Sequence, residues 1–226
     1  MSTIAENIST LATRISHAAL AVQRDPSSVG LLAVSKTKPA SDLREAFAAG
    51  LHDFGENYLQ EALSKQLELA DLPLIWHFIG PIQSNKTRAI AENFAWVHSV
   101  DRLKIAQRLS EQRPKELPPL NICIQVNVSG EASKSGCTPE DLPELANAIN
   151  ALPHLKLRGL MAIPEPTEDS DQQAAAFAAV RTLQASLNLP LDTLSMGMSH
   201  DLEAAIAQGA TWVRIGTALF GARHYG

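Results

Sequence analysis

Lys36 directly follows the apolar run LLAVS, and two glycine turns stand far down the chain: SMGMSHDLEAA, beginning at Ser195, and RIGTALFG, beginning at Arg214. An amine at the mouth of a buried strand, partly desolvated, keeps a neutral fraction that can attack a carbonyl. A lysine that simply faces solvent after a strand fits the same residues. Each glycine turn leads from an apolar run into a helix start. There glycine lets backbone approach a ligand closely, and N–H groups favour an anion. Tight turning alone also asks for Gly197 and Gly216. If the amine and the turns face one another, the pair suits a small aldehyde phosphate gripped at both ends. Arg214 precedes Gly216 by two residues and so points to the same side of its strand. It either meets a ligand ring nitrogen or structures the rim. His77, between Trp76 and Phe78, reads equally as a hydrogen-bonded core histidine or a ligand group. Glu56, His77 and His98 lack the spacings of a metal site, and no G-x-S-x-G elbow supports serine hydrolysis. Lys38 either adds local positive charge or is solvated, Cys123 reads as core, and Glu165, Glu168, Asp169 and Asp171 read as a solvated helix entry.

Elements must place these residues on one rim. Strand-like runs begin near Leu31, Asp53, Ile75, Trp96, Leu120, Leu155, Leu191 and Trp212, with helical segments between most of them. Leu31–Val34 and Ile122–Ile124 are nearly continuous apolar runs, as strands buried on both faces require. Eight strands, each followed by a helix or helical turn, predict an α/β chain folded as a (β/α)8 TIM barrel, with a doubly wound sheet as competitor. Longer loops or helices are expected around the fifth and sixth units. Ahead of the strands, Ile4, Ile8, Leu11, Ile15, Ala18 and Val22 form one apolar stripe, which predicts an additional N-terminal helix over 1–24 packed on the barrel. Ser41, Thr138, Asp101 and Ser199 are the expected helix N-caps, with Pro139 and Asp141 following Thr138 and glycine exits at Gly50 and Gly209. No polar linker separates two cores, so residues 1–226 are expected to form one domain. In a barrel, chemistry collects at the C-terminal strand ends, which here carry Lys36, Asn57, His98, Ser195 and Thr217 among others.

Composition narrows the function classes. The chain has 226 residues, 19 basic and 24 acidic, for a net charge of −5. Residues 1–113 carry 12 of each sign, and the remainder carry 7 basic and 12 acidic. Without a basic stripe, nucleic acid is not an expected partner. The longest purely apolar run, Ala174–Val180, is seven residues and too short to span a bilayer. The first twenty residues include Glu6, Asn7 and Arg14 and do not read as a secretory signal. Cys123 and Cys137 alone make neither a disulfide framework nor a zinc site. A cytoplasmic protein without membrane association is expected.

The segments LLAVSKTKP, FGENYLQE, WHFIGPIQSNKTR, HSVDRLKIAQRL, EASKSG, RGLMAIP, LSMGMS and VRIGTALFGAR follow one another over nearly the whole chain. In that order they resemble the pyridoxal phosphate homeostasis proteins, a group related to the barrel domain of alanine racemase. The resemblance implies a fold-type III barrel that holds pyridoxal 5′-phosphate as an aldimine on Lys36. It implies phosphate-binding segments at Ser195, Met196, Gly197, Met198 and Ser199 and at Gly216 and Thr217. Arg214 matches the arginine that faces the pyridine nitrogen, and such an arginine leaves that nitrogen unprotonated. Asn57, His77 and Asn85 match motif positions around the pocket, and Lys134 is a secondary lysine at the mouth. The family pattern after LSMGMS is an acidic residue where this chain has His200, a lost negative charge that bears on cofactor exchange. The resemblance further implies storage or delivery of the cofactor by a monomer, with transient contacts to apo-enzymes and no efficient catalysis. The racemase relatives use a tyrosine on a second domain as opposite-face base, whereas Tyr58 and Tyr225 are the tyrosines here. A weak racemase-like enzyme is the alternative.

Overall fold

Eight short strands pair in parallel and in sequence order, and the last closes on the first. The computed structural model describes residues 2–222. Its strands are β1 (Gly30–Val34), β2 (Asp53–Glu56), β3 (Ile75–Phe78), β4 (Trp96–Val100), β5 (Leu120–Gln125), β6 (Leu155–Met161), β7 (Thr193–Ser195) and β8 (Trp212–Ile215). Leu32 of β1 lies beside Arg214 of β8, which closes the ring. The doubly wound alternative is therefore set aside. The closing strands touch at Gly30, where a Cβ would come within 2.3 Å of the Trp212 ring.

The helices are α1 (Ile4–Ala21), α2 (Ala40–Ala48), α3 (Leu59–Glu68), α4 (Thr87–Asn93), α5 (Leu103–Gln112), α6 (Leu142–Asn150), α7 (Ser170–Ser186), α8 (Leu202–Ala207) and α9 (Thr217–Phe220). The main core lies between strands and helices, where Ala33, Phe54, Ile122, Leu160 and Ile215 meet Leu43, Ile105, Leu142 and Phe177. A second small cluster, Trp96, Cys123 and Met161, sits apart from it. By strand alternation these three face the barrel lumen. Arg158 closes the N-terminal face, its guanidinium 4.6 Å from the Trp96 ring centroid. Among the described residues no helix is long and apolar enough to cross a membrane.

Helix α1 begins at a reciprocal cap: Thr3 Oγ1 accepts from the Glu6 N–H, and Glu6 Oε2 accepts from the Thr3 N–H. It buries Ile8, Leu11, Ile15 and Ala19 and ends at Ala21, short of the expected Arg24. Arg24 instead reaches across to the carbonyls of Ile206 and Ala210, at 2.7 and 2.9 Å.

Other boundaries also differ from the sequence reading. β7 starts at Thr193, not Leu191, because the Leu191 N–H turns back to the Leu189 carbonyl. Ser41 lies inside α2, whose N-cap is Pro39. Arg102 takes the N-cap of α5, while Asp101 accepts from the Gly136 N–H. Asp141 caps α6, and Thr138 Oγ1 accepts from Asp141 in the preceding turn. Asp201, not Ser199, caps α8. The expected helix entry among Glu165–Asp171 is present, with Asp169 Oδ1 accepting from the N–H groups of Asp171 and Gln172.

Candidate functional site

At the C-terminal rim of the strands a cavity of about 400 Å³ is lined by Val34, Lys36, Asn57, Ile79, Ile163, Met198, Ser199, His200, Arg214, Gly216 and Thr217. The amine-bearing strand end and both glycine turns thus open on one space. Its walls are mixed: Val34, Ile79, Ile163 and Met198 supply apolar surface, and Lys36, Asn57, Ser199, His200, Arg214 and Thr217 supply polar or charged groups.

Lys36 leaves the end of β1 between two residues whose backbone is tied down. The Ser35 carbonyl accepts from Lys65 Nζ at 2.7 Å, and the Thr37 N–H donates to Glu61 Oε1 at 2.6 Å. Thr37 has a φ of 64°, a left-handed conformation in which these bonds must hold a β-branched residue. Behind them lies a buried polar cluster. Glu56 Oε1 accepts from Ser35 Oγ and from Lys65 Nζ, each at 2.7 Å, and Lys65 also donates to Glu61 at 2.6 Å. Glu56 faces outward from β2 and is fully buried, and loss of water pushes its carboxyl above the usual range despite Lys65.

The facing wall is built by two turns. Gly197 has a φ of 100°, and a Cβ there would lie 2.6 Å from the Ala205 methyl. The turn is closed by Asp201, whose Oδ1 accepts from the Met198 N–H at 2.6 Å. That N–H is therefore already committed, which leaves the Ser199–His200 side of the turn facing the cavity. Gly216 opens α9, and its own missing Cβ lets the chain pass the Val34 carbonyl, 3.3 Å from where that atom would sit. Lys38 does not stand as solvated charge: its Nζ donates to the carbonyls of Phe220, Gly221 and Ala222 at 3.2, 3.1 and 3.0 Å, holding the exit of α9. From outside the barrel, α1 pins both turns. Arg14 donates to the Ser199 carbonyl and pairs through two bonds with Glu203, while Asn7 donates to the Leu219 carbonyl at 2.8 Å.

Arg214 is buried in the cavity floor. Its Nη1 donates to Ser195 Oγ at 2.8 Å and its Nη2 to the Ala162 carbonyl at 3.0 Å. Burial pushes it down to about 10, with Asp201 opposing, so it remains a cation at neutral pH. Below it His98 and His77 are fully buried and hydrogen-bonded to each other. Desolvation lowers both, His98 further because His77 and Arg214 adjoin it. Asn57 Oδ1, on the cavity wall, is buried without a hydrogen-bond partner among the described residues. A buried amide oxygen in that state calls for a donor.

Residues 1–224 match the family model of the alanine racemase N-terminal domain. The chain is 77% identical over its whole length to the pyridoxal phosphate homeostasis protein of Pseudomonas aeruginosa, covering 98% of that protein. This chain belongs to the pyridoxal phosphate homeostasis protein family. The family member from Escherichia coli K12 is 53% identical, with 100% of this chain and 99% of that protein aligned. Among solved structures, PipY of Synechococcus elongatus with pyridoxal phosphate bound is 42% identical with a TM-score of 0.86, over 97% of this chain and all of that one. The alanine racemase of Corynebacterium glutamicum, 18% identical with a TM-score of 0.67, shares the fold and is matched over 62% of its length.

Of the positions that the family motifs single out, Lys36, Asn57, Met198, Ser199, Arg214, Gly216 and Thr217 meet at the cavity. Ser195 and His77 lie beneath it, linked to Arg214 through hydrogen bonds. Met196 is packed in the core between strands and helices, and Gly197 shapes the turn from behind. Asn85 is exposed in the Ser84–Lys86 turn and forms no part of the cavity wall. Lys134 stands 3.9 Å from Glu131 in the loop after β5. His200 precedes the α8 cap, half exposed, 3.6 Å from Asp201. Tyr225 lies outside the described residues. Sequence reading missed Asp53, Glu61, Lys65, Arg14 and Asp201. Only the i,i+4 spacing of Glu61 and Lys65 hinted at a pair.

Proposed function

We propose that this chain binds pyridoxal 5′-phosphate in the rim cavity, with Lys36 taking the aldehyde, and holds it for storage or delivery without efficient catalysis. The observation that carries the reading is the convergence of Lys36, the Ser199 and Gly216–Thr217 turns and Arg214 on one cavity. The unpartnered Asn57 Oδ1 and the cavity's mixed walls fit a polar aromatic ring with donors of its own. Pyridoxal phosphate supplies, when bound, an aldehyde that condenses reversibly with an amine and loses water. The chain's own residues do the rest. Lys36 offers the amine from a tied backbone, so its direction is preset. The turns at Ser199 and Gly216–Thr217, which line the cavity, would hold the phosphate through their backbone N–H groups. Arg214, always a donor here, would meet the ring nitrogen of the bound cofactor as a donor and so would leave it unprotonated. An unprotonated ring withdraws electrons weakly, which favours holding over carbanion chemistry. The names of the homeostasis relatives and the pyridoxal phosphate in PipY support the same reading.

Among the described residues the cavity wall carries no phenol and no carboxylate, and its imidazole is that of His200, 3.6 Å from Asp201. Tyr58 is 53% exposed at the start of α3. The names of the homeostasis relatives favour the carrier over the racemase-like alternative. The carrier is read as a cytoplasmic monomer that meets apo-enzymes transiently, and its two free cysteines fit a reducing compartment.

Borohydride trapping with peptide mass mapping tests the reading. A yellow absorbance band and a single modified peptide containing Lys36 are expected, with the label lost in Lys36→Ala. A label on another peptide in the native chain overturns the assignment. Amino-acid-dependent exchange of an α-proton in deuterated solvent, abolished by Lys36→Ala, would instead establish the enzyme.

A further inference from the structure

Four hydrogen bonds join five side chains from five strands into one line through the barrel. Arg214 Nη1 lies 2.8 Å from Ser195 Oγ, and Ser195 Oγ lies 2.7 Å from His98 Nδ1. His98 Nε2 lies 2.9 Å from His77 Nδ1, and His77 Nε2 lies 2.8 Å from Asp53 Oδ1. Asp53 opens β2 and Arg214 lies near the end of β8, so the line runs from the N-terminal face to the cavity floor. Arg214, Ser195, His98 and His77 are all buried, while the Asp53 side chain is 23% exposed.

The carboxylate end, with both imidazoles neutral, fixes the direction of every bond. A guanidinium has no acceptor, so Ser195 Oγ accepts from Arg214 and has its single proton left to give to His98 Nδ1. His98, neutral, then carries its proton on Nε2 and donates it to His77 Nδ1. His77 in turn carries its proton on Nε2 and gives it to the carboxylate of Asp53, which only accepts. The reverse arrangement would set His77 Nε2 and the carboxylate lone pair to lone pair. A second proton on His98 would place two buried cations in adjacent positions. Aligned donors in a low-dielectric core strengthen one another, so the ends are coupled.

We infer that Asp53, at the opposite face of the barrel from the cavity, is a positioning residue for Arg214. It fixes both lumen histidines as Nε2–H tautomers, so that Ser195 gives its proton to His98 and keeps both lone pairs for the guanidinium side. No proton moves along the line. The inference rests on the cofactor reading above only for its consequence, the aim of Arg214 at the ring. Its first test needs no cofactor.

Long-range 1H–15N correlation on histidine-labelled native protein is expected to show two buried rings with bare Nδ1 and protonated Nε2. Either ring protonated at Nδ1 overturns the chain. In Asp53→Asn the amide can donate to His77 Nε2, and both rings are expected to switch toward Nδ1–H, with pyridoxal phosphate bound 3- to 10-fold more weakly and still trapped on Lys36. Pyridoxal phosphate affinity unchanged in a variant whose tautomers have switched overturns the positioning role. The native spectrum decides the tautomers even if Asp53→Asn fails to fold. Failure of trapping on Lys36 in the native chain overturns the role by removing its ligand, and is distinguishable because the tautomers stay as inferred.

Discussion

Replacing Gly197 by alanine tests how the facing wall is built. At a φ of 100° a side chain sits in backbone space that L-residues rarely enter, a cost of about 1–3 kcal/mol. The new methyl would lie 2.6 Å from the Ala205 Cβ and 3.3 Å from Val213 Cγ1. Relieving that overlap by moving α8 costs about 1–3 kcal/mol more. The sum, about 2–6 kcal/mol, is a large share of a stability that is ordinarily about 5–15 kcal/mol. Equilibrium urea unfolding should therefore show a clearly lowered midpoint at unchanged slope. The double variant Gly197→Ala with Ala205→Gly removes the overlap and keeps the backbone strain. It should regain part of the loss, less the roughly 0.5–1 kcal/mol that a helical glycine costs. Pyridoxal phosphate should bind both variants more weakly, since the turn that carries Ser199 shifts. Native-like stability in the single variant, or no recovery in the double, refutes the account.

Three further outcomes follow from the same geometry. Arg14→Ala removes a donor from the Ser199 carbonyl. Arg14 is partly exposed, so the loss is about 0.5–1 kcal/mol, and pyridoxal phosphate should leave about 2- to 5-fold faster while pyridoxal, which lacks the phosphate, leaves at its native rate. Lys65→Met strands the buried Glu56 carboxylate and should cost about 3–5 kcal/mol in urea unfolding, with part returned by adding Glu56→Gln. The lumen histidines are held below the usual imidazole value, so the unfolded chain takes up protons that the folded chain refuses. Stability should be full above about pH 6.5 and fall as the pH drops below it, by up to about 1.4 kcal/mol per pH unit for each histidine until its own lowered value is reached. His98→Gln should flatten that slope in unfolding curves taken between pH 7.5 and 5.5.

The barrel was readable because its evidence is local and repeated. Most strands are short runs rich in apolar residues and bounded by turn residues, and a closed parallel ring is the simplest way to bury eight strands. The rim lysine and the glycine turns were readable for the same reason, as strand ends with distinctive chemistry. Cap positions were less so. Asp101 has the chemistry of an N-cap but is drawn to the Gly136 N–H, 35 residues away in sequence. The lumen line was hidden altogether. His77 reads identically as core or ligand until Asp53 and His98 are seen on either side of it, and His98 meets Ser195 across 97 residues of chain. Lys65 looks like any helix-surface lysine, since nothing near it in sequence shows that Glu56 faces outward under α3. Motif matching brought Asn85 forward, but its exposed turn forms no part of the cavity wall.

The bond from Asn7 to Leu219 joins residues 212 positions apart, and that from Arg14 to Ser199 joins residues 185 apart. Helix α1 leaves the ribosome before any strand, yet α8 and α9, which share with α2 in covering it, are translated only after β7. Closure of so long a loop comes late in folding. The two turns that line the rim cavity are thus tied to α1 only once β7 and β8 have joined the ring.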